Sequence, residues 1–386
     1  MKKLCVFVYS FLLCISCSDN SDGNILAVVE KDGKYGFINS TGKIVIPCIY
    51  GNAESFSEGR AAVSLDGKYG YIDQTGKLVI PCTYDRVSSF SENRAWVEIN
   101  SKYGFIDSSG EMVSPCIYEG AESFSQGRAV VRECHKNSEP TYGFVDLTGS
   151  LIVPCVYDSA DQFSDGMARV RKNTYDETGK FLYERCGFVD LSGALVIPCK
   201  YPYAGRFSQG KSRIAYEYQR IGFIDDTEYL IAPCQFFYAD DFSEGMAVVG
   251  LNGKFGYIDY TGEIDIPCIY DDASSFSEDR ARVELDGKYG FINPAGELVI
   301  PCIYDDAESF SEGRAKVYNE DKDKYGFIDA SGKLVVPFKY DQAEPFSNGR
   351  ALVYDDKHQK YGFINPSGKL VTGFKFDYAR SFTQIE

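Results

Sequence analysis

Residues 60–84 read RAAVSLDGKYGYIDQTGKLVIPCTY. In residues 61–65, successive side chains alternate between two faces, which predicts a first β-strand. The pair Asp66-Gly67 then suits a two-residue hairpin turn, because Asp and Gly tolerate the positive φ that both turn positions require. Residues 68–72 follow as a second strand, which returns antiparallel to the first.

The second half of this stretch predicts one more strand. Residues 73–76 form a second hairpin turn with Gly76 in the left-handed conformation, and residues 78–80 form a third strand. Pro81 ends the third strand because proline has no N–H to donate to the ladder. Residues 84–91 then form a connector, for which the sequence predicts one helical turn. The unit is therefore predicted to be a three-stranded β-meander.

The same unit occurs ten times along the chain. The glycine at the centre of its Tyr-Gly-Phe-like triplet recurs at Gly36, Gly70, Gly104, Gly143, Gly187, Gly222, Gly256, Gly290, Gly326 and Gly362. Successive glycines lie 34 to 44 residues apart. Such repetition predicts an array in which neighbouring units bury each other's apolar faces and no unit is stable alone.

The connector contains a second recurring feature, the motif Phe-Ser-x-Gly. Its last position holds Gly in most copies, as at Gly59, but it holds Asn93 and Asp279 in two units. These three residue types tolerate the left-handed region best, so the position is predicted to have a positive φ.

The predicted fold class is therefore all-β, a tandem array of ten units of about 34 residues over residues 25–386. We favour an open, solenoid-like superhelix, and a closed propeller-like ring is the alternative. A 34-residue period is short for a four-stranded propeller blade, and ten blades exceed the usual number. In addition, the chain starts at a first strand and ends at a connector, so no divided unit is evident that would close a ring.

The N-terminus has the features of an export signal. Two lysines precede an apolar stretch of about ten residues, which is too short to cross a bilayer but fits a signal peptide over residues 1–16. The pair Ser16-Cys17 resembles a bacterial lipobox, although Cys14 stands where Leu is usual. This resemblance implies that Cys17 is acylated and that residues 17–24 form a flexible tether. Simple secretion is the alternative.

The acidic run after Cys17 determines the predicted location. It resembles the export signals of Bacteroidetes lipoproteins, which implies an exported protein anchored by lipid to the outer membrane. Exposure at the cell surface is left open. The membrane contact is expected to occur through the lipid alone.

Composition excludes several classes of function. The formal net charge is −16, whereas binding to a nucleic-acid backbone needs a basic surface. The chain has two histidines, His135 and His358, which argues against His-based catalysis and against a multi-His metal site. We therefore expect no enzyme, no cofactor, no metal and no nucleic-acid partner.

Eight cysteines occupy one position of the unit, directly after proline. They are Cys48, Cys82, Cys116, Cys155, Cys199, Cys234, Cys268 and Cys302. Units nine and ten have Phe338 and Phe374 there, so the position is predicted to be an apolar core site with free thiols. A ladder of disulfides is the alternative in an exported protein.

The whole unit, written xGKYGFIDxxGKLVIPxxYxxAxxFSEGRA, resembles the WG (KWG-type) repeat of bacterial proteins. The resemblance covers residues 25–386. The Trp of the Trp-Gly pair is replaced in every copy, most often by Tyr, as at Tyr69, but by Cys186 and Ile221 in units five and six. The family resemblance implies no established activity.

These features predict a non-catalytic, surface-anchored scaffold that binds a protein or another ligand at the cell envelope. A carbohydrate-binding surface lipoprotein is the alternative, because the chain is acidic and rich in aromatic residues. The partner is therefore an unknown envelope protein or glycan.

The candidate binding surface lies where the units vary in length, between the first and second strands. Units four and five carry insertions there, with His135, Lys136, Tyr175 and Tyr183. Trp96 is the only tryptophan of the chain. Its position in the unit holds Arg, Lys or Ala in five of the other nine copies and Val or Leu in four. The mixture of Arg, Lys and Ala predicts that this position faces solvent and that Trp96 is at least partly exposed. Exposed tryptophan is common at binding hot spots.

The lipidation hypothesis predicts the behaviour of one variant. Cys17→Ala removes the thiol that would carry the acyl chains, so the protein should leave the membrane fraction when cells are fractionated. Wild-type membrane retention of Cys17→Ala would show that the anchor lies elsewhere.

Overall fold

The computed structural model describes residues 25–134, 139–217 and 220–384. The predicted signal peptide, the lipidation site Cys17 and the tether lie outside these residues. Within them, the helical content is one 3₁₀ turn, Glu320–Lys322, and no helix could cross a bilayer.

Units one to nine contain the three predicted strands. The prediction that Pro81 ends the third strand is wrong: the strand runs through Pro81 to Tyr84, because an edge strand can turn the proline nitrogen away from its neighbour. The first strands are Ile25–Lys31, Ala61–Leu65, Arg94–Ile99, Arg128–Glu133, Met167–Tyr175, Lys211–Glu217, Ala247–Leu251, Ala281–Leu285, Arg314–Asn319 and Ala351–Asp355. The second strands are Lys34–Asn39, Lys68–Ile72, Lys102–Asp107, Thr141–Asp146, Phe181–Asp190, Arg220–Asp225, Lys254–Ile258, Lys288–Ile292, Lys324–Asp329 and Lys360–Ile364.

The third strands lie at the edge of each sheet. They are Ile44–Tyr50, Leu78–Tyr84, Met112–Tyr118, Leu151–Tyr157, Leu195–Tyr201, Leu230–Phe236, Ile264–Tyr270, Leu298–Tyr304 and Leu334–Tyr340. In unit ten, bridges from Ile364 to Leu370 and from Tyr361 to Phe376 take the place of this strand.

A fourth, short strand completes each sheet on the side of the first strand. The short strands are Tyr378–Ala379 in unit one, then Asn52–Ala53, Arg86–Val87, Gly120–Ala121, Ser159–Ala160, Tyr203–Ser208, Tyr238–Ala239, Asp272–Ala273, Asp306–Ala307 and Gln342–Ala343. The sequence analysis predicted one helical turn in the connector, which is wrong. The connector instead extends along the next unit's first strand, so the unit has four strands rather than three.

The triplet glycine is required by the third strand. Tyr71 pairs with Ile80 and Tyr69 pairs with Tyr84, so the third strand bulges outward between these two pairs. The bulge carries the third-strand backbone directly over Gly70, where a Cβ would lie 2.4 Å from the Ile80 carbonyl oxygen. Only glycine fits beneath this crossing.

The array closes into a ring. Val29 in the first strand of unit one pairs with Ala379, and Leu26 pairs with Thr383, so the last connector supplies the short strand of unit one. The guanidinium of Arg380 forms an ion pair with Glu54 across the same junction. The fold is a ten-bladed β-propeller, the closed alternative of the sequence analysis. The open superhelix favoured from the sequence is not confirmed. The sequence showed no divided unit because the strand that completes unit one, Tyr378–Ala379, is only two residues long and lies within the last connector.

Apolar clusters lie between units. In one of them, Ala62, Tyr71 and Ile80 of unit two pack against Val97 and Ile106 of unit three. An equivalent cluster joins unit ten to unit one across the ring closure; its buried members include Leu352, Phe363, Phe376, Ala27, Val29 and Ile38. Each unit therefore buries both faces of its sheet against its neighbours.

A chain of hydrogen bonds links the connectors of successive units. The Ser hydroxyl of each Phe-Ser motif donates to the carbonyl oxygen of the next unit's Phe, as from Ser57 to Phe90 at 2.7 Å and from Ser277 to Phe310 at 3.0 Å. The following side chain often caps the next turn. The Glu58 carboxylate accepts from the backbone N–H groups of Glu92 and Asn93, at 2.7 Å each.

The position that Trp96 occupies in the unit does not face solvent across the ten units, which corrects the sequence analysis. Val28 and Val248 are fully buried there, in contact between units. In a unit that has a charged residue at this position, the side chain reaches the next unit. Arg213, for example, donates to the Ala239 carbonyl oxygen at 2.7 Å. Trp96 itself is half-buried.

The cysteines after proline pack against the clusters between units, as the sequence predicted for an apolar position. Cys82, for example, adjoins the cluster between units one and two, and its thiol lies 3.8 Å from the Val63 carbonyl oxygen. These cysteines are free thiols and half-buried rather than fully buried. Burial raises the pKa of the Cys155 thiol to about 12, so that group is protonated at neutral pH.

The bulge over the triplet glycine can be tested by two matched substitutions. Gly290→Ala would place a methyl group 2.5 Å from the Ile300 carbonyl oxygen, and we expect it to lower the free energy of unfolding by about 2–3 kcal/mol. Gly287 in the adjacent turn has φ +74° and open space at its Cβ position, so Gly287→Ala should lower the free energy of unfolding by only about 1 kcal/mol. Chemical denaturation measures both, and equal losses would contradict this account.

Candidate binding site

The short strand lies at one edge of each sheet, next to the first strand. In a ring of radiating sheets, neighbouring sheets are closest at the axis, and the Ser-to-Phe hydrogen bonds join neighbouring units beside the short strands. The third strands lie at the opposite edge and carry exposed apolar side chains such as Ile49 and Ile303. Grooves lie between neighbouring units on the side of the short strands.

One of these grooves lies between units three and four. We call it the three–four groove; it encloses about 300 Å³. Its lining residues are Arg86, Trp96 and Tyr103 of unit three, and Gly120, Ala121, Glu122, Val130, Arg132 and Tyr142 of unit four. The volume is at the lower end of the range for small-molecule pockets, about 300–1,000 Å³.

Aromatic rings form one wall of the three–four groove. The Trp96 indole and the Tyr103 ring have centroids 5.3 Å apart and are tilted by 58°. The Arg86 guanidinium lies 6.0 Å from the indole centroid and donates to the Tyr103 hydroxyl at 3.4 Å. These contacts hold Trp96 in place and leave part of its ring exposed to the groove.

Unit four supplies polar groups on the opposite wall. Arg132 donates to the Glu119 carbonyl oxygen at 2.8 Å, but its Nε is buried and has no hydrogen-bond partner among the described residues. Burial, reinforced by the negative charge of Asp161, raises the pKa of the Glu122 carboxyl above its usual range. The groove thus offers both donors and acceptors.

Gly120 leaves room for the Arg132 guanidinium on this wall. The first residue of the short strand has a side chain in every unit except unit four. A Cβ on Gly120 would lie 3.1 Å from Arg132 Nε, so the guanidinium occupies the room that a side chain would take.

A second groove of the same kind lies at the ring closure, between units ten and one. It encloses about 290 Å³, and Tyr354, Tyr361, Tyr378 and Arg380 are among its lining residues. The Tyr354 and Tyr361 ring centroids are 4.8 Å apart. Aromatic grooves at equivalent positions are therefore a recurring product of this fold.

The structure separates the candidate residues of the sequence analysis. Tyr175 and Tyr183 are exposed on the long hairpin of unit five, where Tyr183 lies 4.2 Å beneath the Arg185 guanidinium. Trp96 lies in the three–four groove, with unit four between it and that hairpin. His135 and Lys136 lie outside the described residues.

The acidic pairs of the connectors have structural partners. Asp271 forms an ion pair with Lys254 and accepts from the backbone N–H of Asp286, whereas Asp272 pairs with Arg282 at 2.7 Å. Neither aspartate caps a helical turn, because the connector has none. Within the described ranges, no group of three or more His, Cys, Asp or Glu side chains could hold a metal ion.

Sequence reasoning missed Arg86, Gly120, Glu122 and Arg132. One signal was available, since Gly120 is the single glycine at its position among the ten units. The sequence could not show which side chains of units three and four face the groove, because this depends on how the units stack.

Known proteins are similar to this chain in repeat and in fold. A family model described as "WG containing repeat" matches residues 35–69, 69–103, 103–133, 142–181, 187–217, 221–255, 255–289, 289–322, 325–357 and 361–384. A solved structure of a eukaryotic initiation factor is 11% identical with a TM-score of 0.55, over 94% of this chain and 98% of that one. That likeness concerns the fold alone.

A more distant likeness is to BamB from Moraxella catarrhalis. It is 13% identical with a TM-score of 0.35, over 77% of this chain and 89% of that one, and carries no further argument. No curated protein sequence matches this chain.

Proposed function

This chain belongs to the family of WG-containing repeats, and we propose that it is a non-catalytic binding scaffold anchored at the cell envelope. The observation that carries the proposal is the repeated groove between short strands, which keeps one backbone frame and changes its side chains from unit to unit. Such variation on a constant frame suits recognition, whereas catalysis requires one set of residues fixed around a reacting atom.

The rigidity of the frame supports a binding role. Each groove is bounded by short strands that are hydrogen-bonded to their own units, and the Ser-to-Phe hydrogen bonds fix neighbouring units relative to each other. A preorganised groove loses little conformational entropy when a ligand binds.

The location is proposed from the N-terminal sequence. Acylation of Cys17 would tether the ring to the outer membrane, with the lipid as the only membrane contact, and the partner would be an envelope protein or a glycan. The net charge of −16 disfavours a nucleic acid as the ligand.

Carbohydrate binding is the second candidate function. It is favoured by the three–four groove, where the aromatic rings of Trp96 and Tyr103 face the polar side chains Glu122 and Arg132. A pocket with aromatic walls and a few placed polar groups is typical of small-ligand sites.

The binding role can be tested by affinity capture from cross-linked cells. Wild-type protein should enrich a specific envelope protein or glycan, and a variant with Trp96→Ala and residues 173–183 trimmed to a two-residue turn should enrich less of it. A variant trimmed at 173–183 alone separates the hairpin from Trp96.

Two outcomes of the capture experiment would contradict parts of the proposal. If wild-type protein enriches nothing beyond the background of an unrelated lipoprotein, the scaffold role is wrong. If the folded double variant keeps full enrichment, neither the hairpin nor Trp96 is the binding surface.

A further inference from the structure

We propose that the three–four groove binds one neutral sugar ring of a glycan, with Trp96 as its stacking platform. This inference rests on the proposed binding function and names the ligand class of one site. Among the ten units, this groove alone combines the single tryptophan of the chain with a glycine in the short strand.

The shape of the groove fits a flat ring with one apolar face. A pyranose presents axial C–H groups on one face, and these pack favourably on an aromatic ring. Trp96 is half-buried and is held by Tyr103 and Arg86, so its exposed part does not need to be ordered when a ligand binds. About 300 Å³ of space lies beside it.

The polar groups fit the hydroxyls at the edge of such a ring. A hydroxyl both donates and accepts, so a sugar needs donors and acceptors on the same wall. Arg86 and Arg132 line the groove with guanidinium donors, and the Glu122 carboxyl can accept.

The charges of the groove favour a neutral ligand. The guanidinium groups of Arg86 and Arg132 are balanced by the carboxyl groups of Glu98 and Glu122, and Arg86 lies 3.8 Å from Glu98. A site for a uronic acid or a phosphate would need an excess of positive charge. A cationic ligand would need the opposite excess.

Gly120 leaves room for the Arg132 guanidinium and provides a precise test. Units six and seven have Tyr203 and Tyr238 at this position, so the fold accepts tyrosine there. A Cβ on Gly120 would lie 3.1 Å from Arg132 Nε, so Gly120→Tyr should displace the Arg132 guanidinium from the groove wall and leave the ring intact. Ser159→Tyr, at the same position of the next unit, is the matched control because it leaves the three–four groove open.

The experiment is a titration of the full chain followed by Trp96 fluorescence and by calorimetry. Because Trp96 is the only tryptophan, its emission reports this groove directly. The probes are neutral oligosaccharides of hexoses and N-acetylhexosamines, with a uronic-acid oligosaccharide as comparison. We expect a saturable change in emission with at least one neutral probe and a smaller or absent change with the acidic one.

The variants then locate the site. Gly120→Tyr should weaken binding of the neutral probe at least tenfold, and Glu122→Gln should weaken it by a smaller factor, whereas Ser159→Tyr should bind like the wild type. Circular dichroism and the melting temperature show that each variant is folded.

Different results would contradict the sugar site and the scaffold role. If a neutral glycan binds equally well to folded Gly120→Tyr and leaves Trp96 emission unchanged, the glycan site lies elsewhere. If no neutral probe binds and affinity capture still enriches a protein partner, the sugar assignment is wrong and the scaffold role stands. Stronger binding of the acidic probe would overturn the assignment to a neutral ring.

Discussion

The short strand that each connector adds to the next unit, two residues long in most units, is the contact on which the ring depends. Asn52–Ala53 leaves unit one and pairs with the first strand of unit two, so no unit has its short strand without its predecessor. Unit one has no predecessor, and Tyr378–Ala379 fills that role from the other end of the chain. Closure is therefore the same contact that joins every other pair of units.

This contact also places the grooves. It brings the short strand of each unit beside the preceding unit, where the side chains of both units line the groove. The first position of the short strand holds Tyr238 in unit seven, whereas Gly120 in unit four leaves room for the Arg132 guanidinium. The candidate site is thus a local variation in side chains on a repeated backbone, and it required no change in the fold.

The sequence alone predicted local structure well and assembly poorly. The three strands, their hairpin turns and the positive φ at Gly59, Asn93 and Asp279 all follow from patterns within one unit, and the structure has them. Ring closure depends on a strand too short to leave a periodic pattern. The groove depends on side chains such as Trp96 and Arg132 that are distant in sequence and meet only when units stack.

Hydrogen exchange at the ring closure tests the central claim most directly. The Asp377 amide donates to the Glu30 carbonyl oxygen at 3.1 Å and the Arg380 amide to Val28 at 3.0 Å, as Asp271 does to Glu284 at an internal junction, at 2.9 Å. A closed ring predicts that these amides are protected to within about tenfold of each other. Exchange of Asp377 and Arg380 at the rate of an unstructured peptide, with Asp271 still protected, would contradict closure.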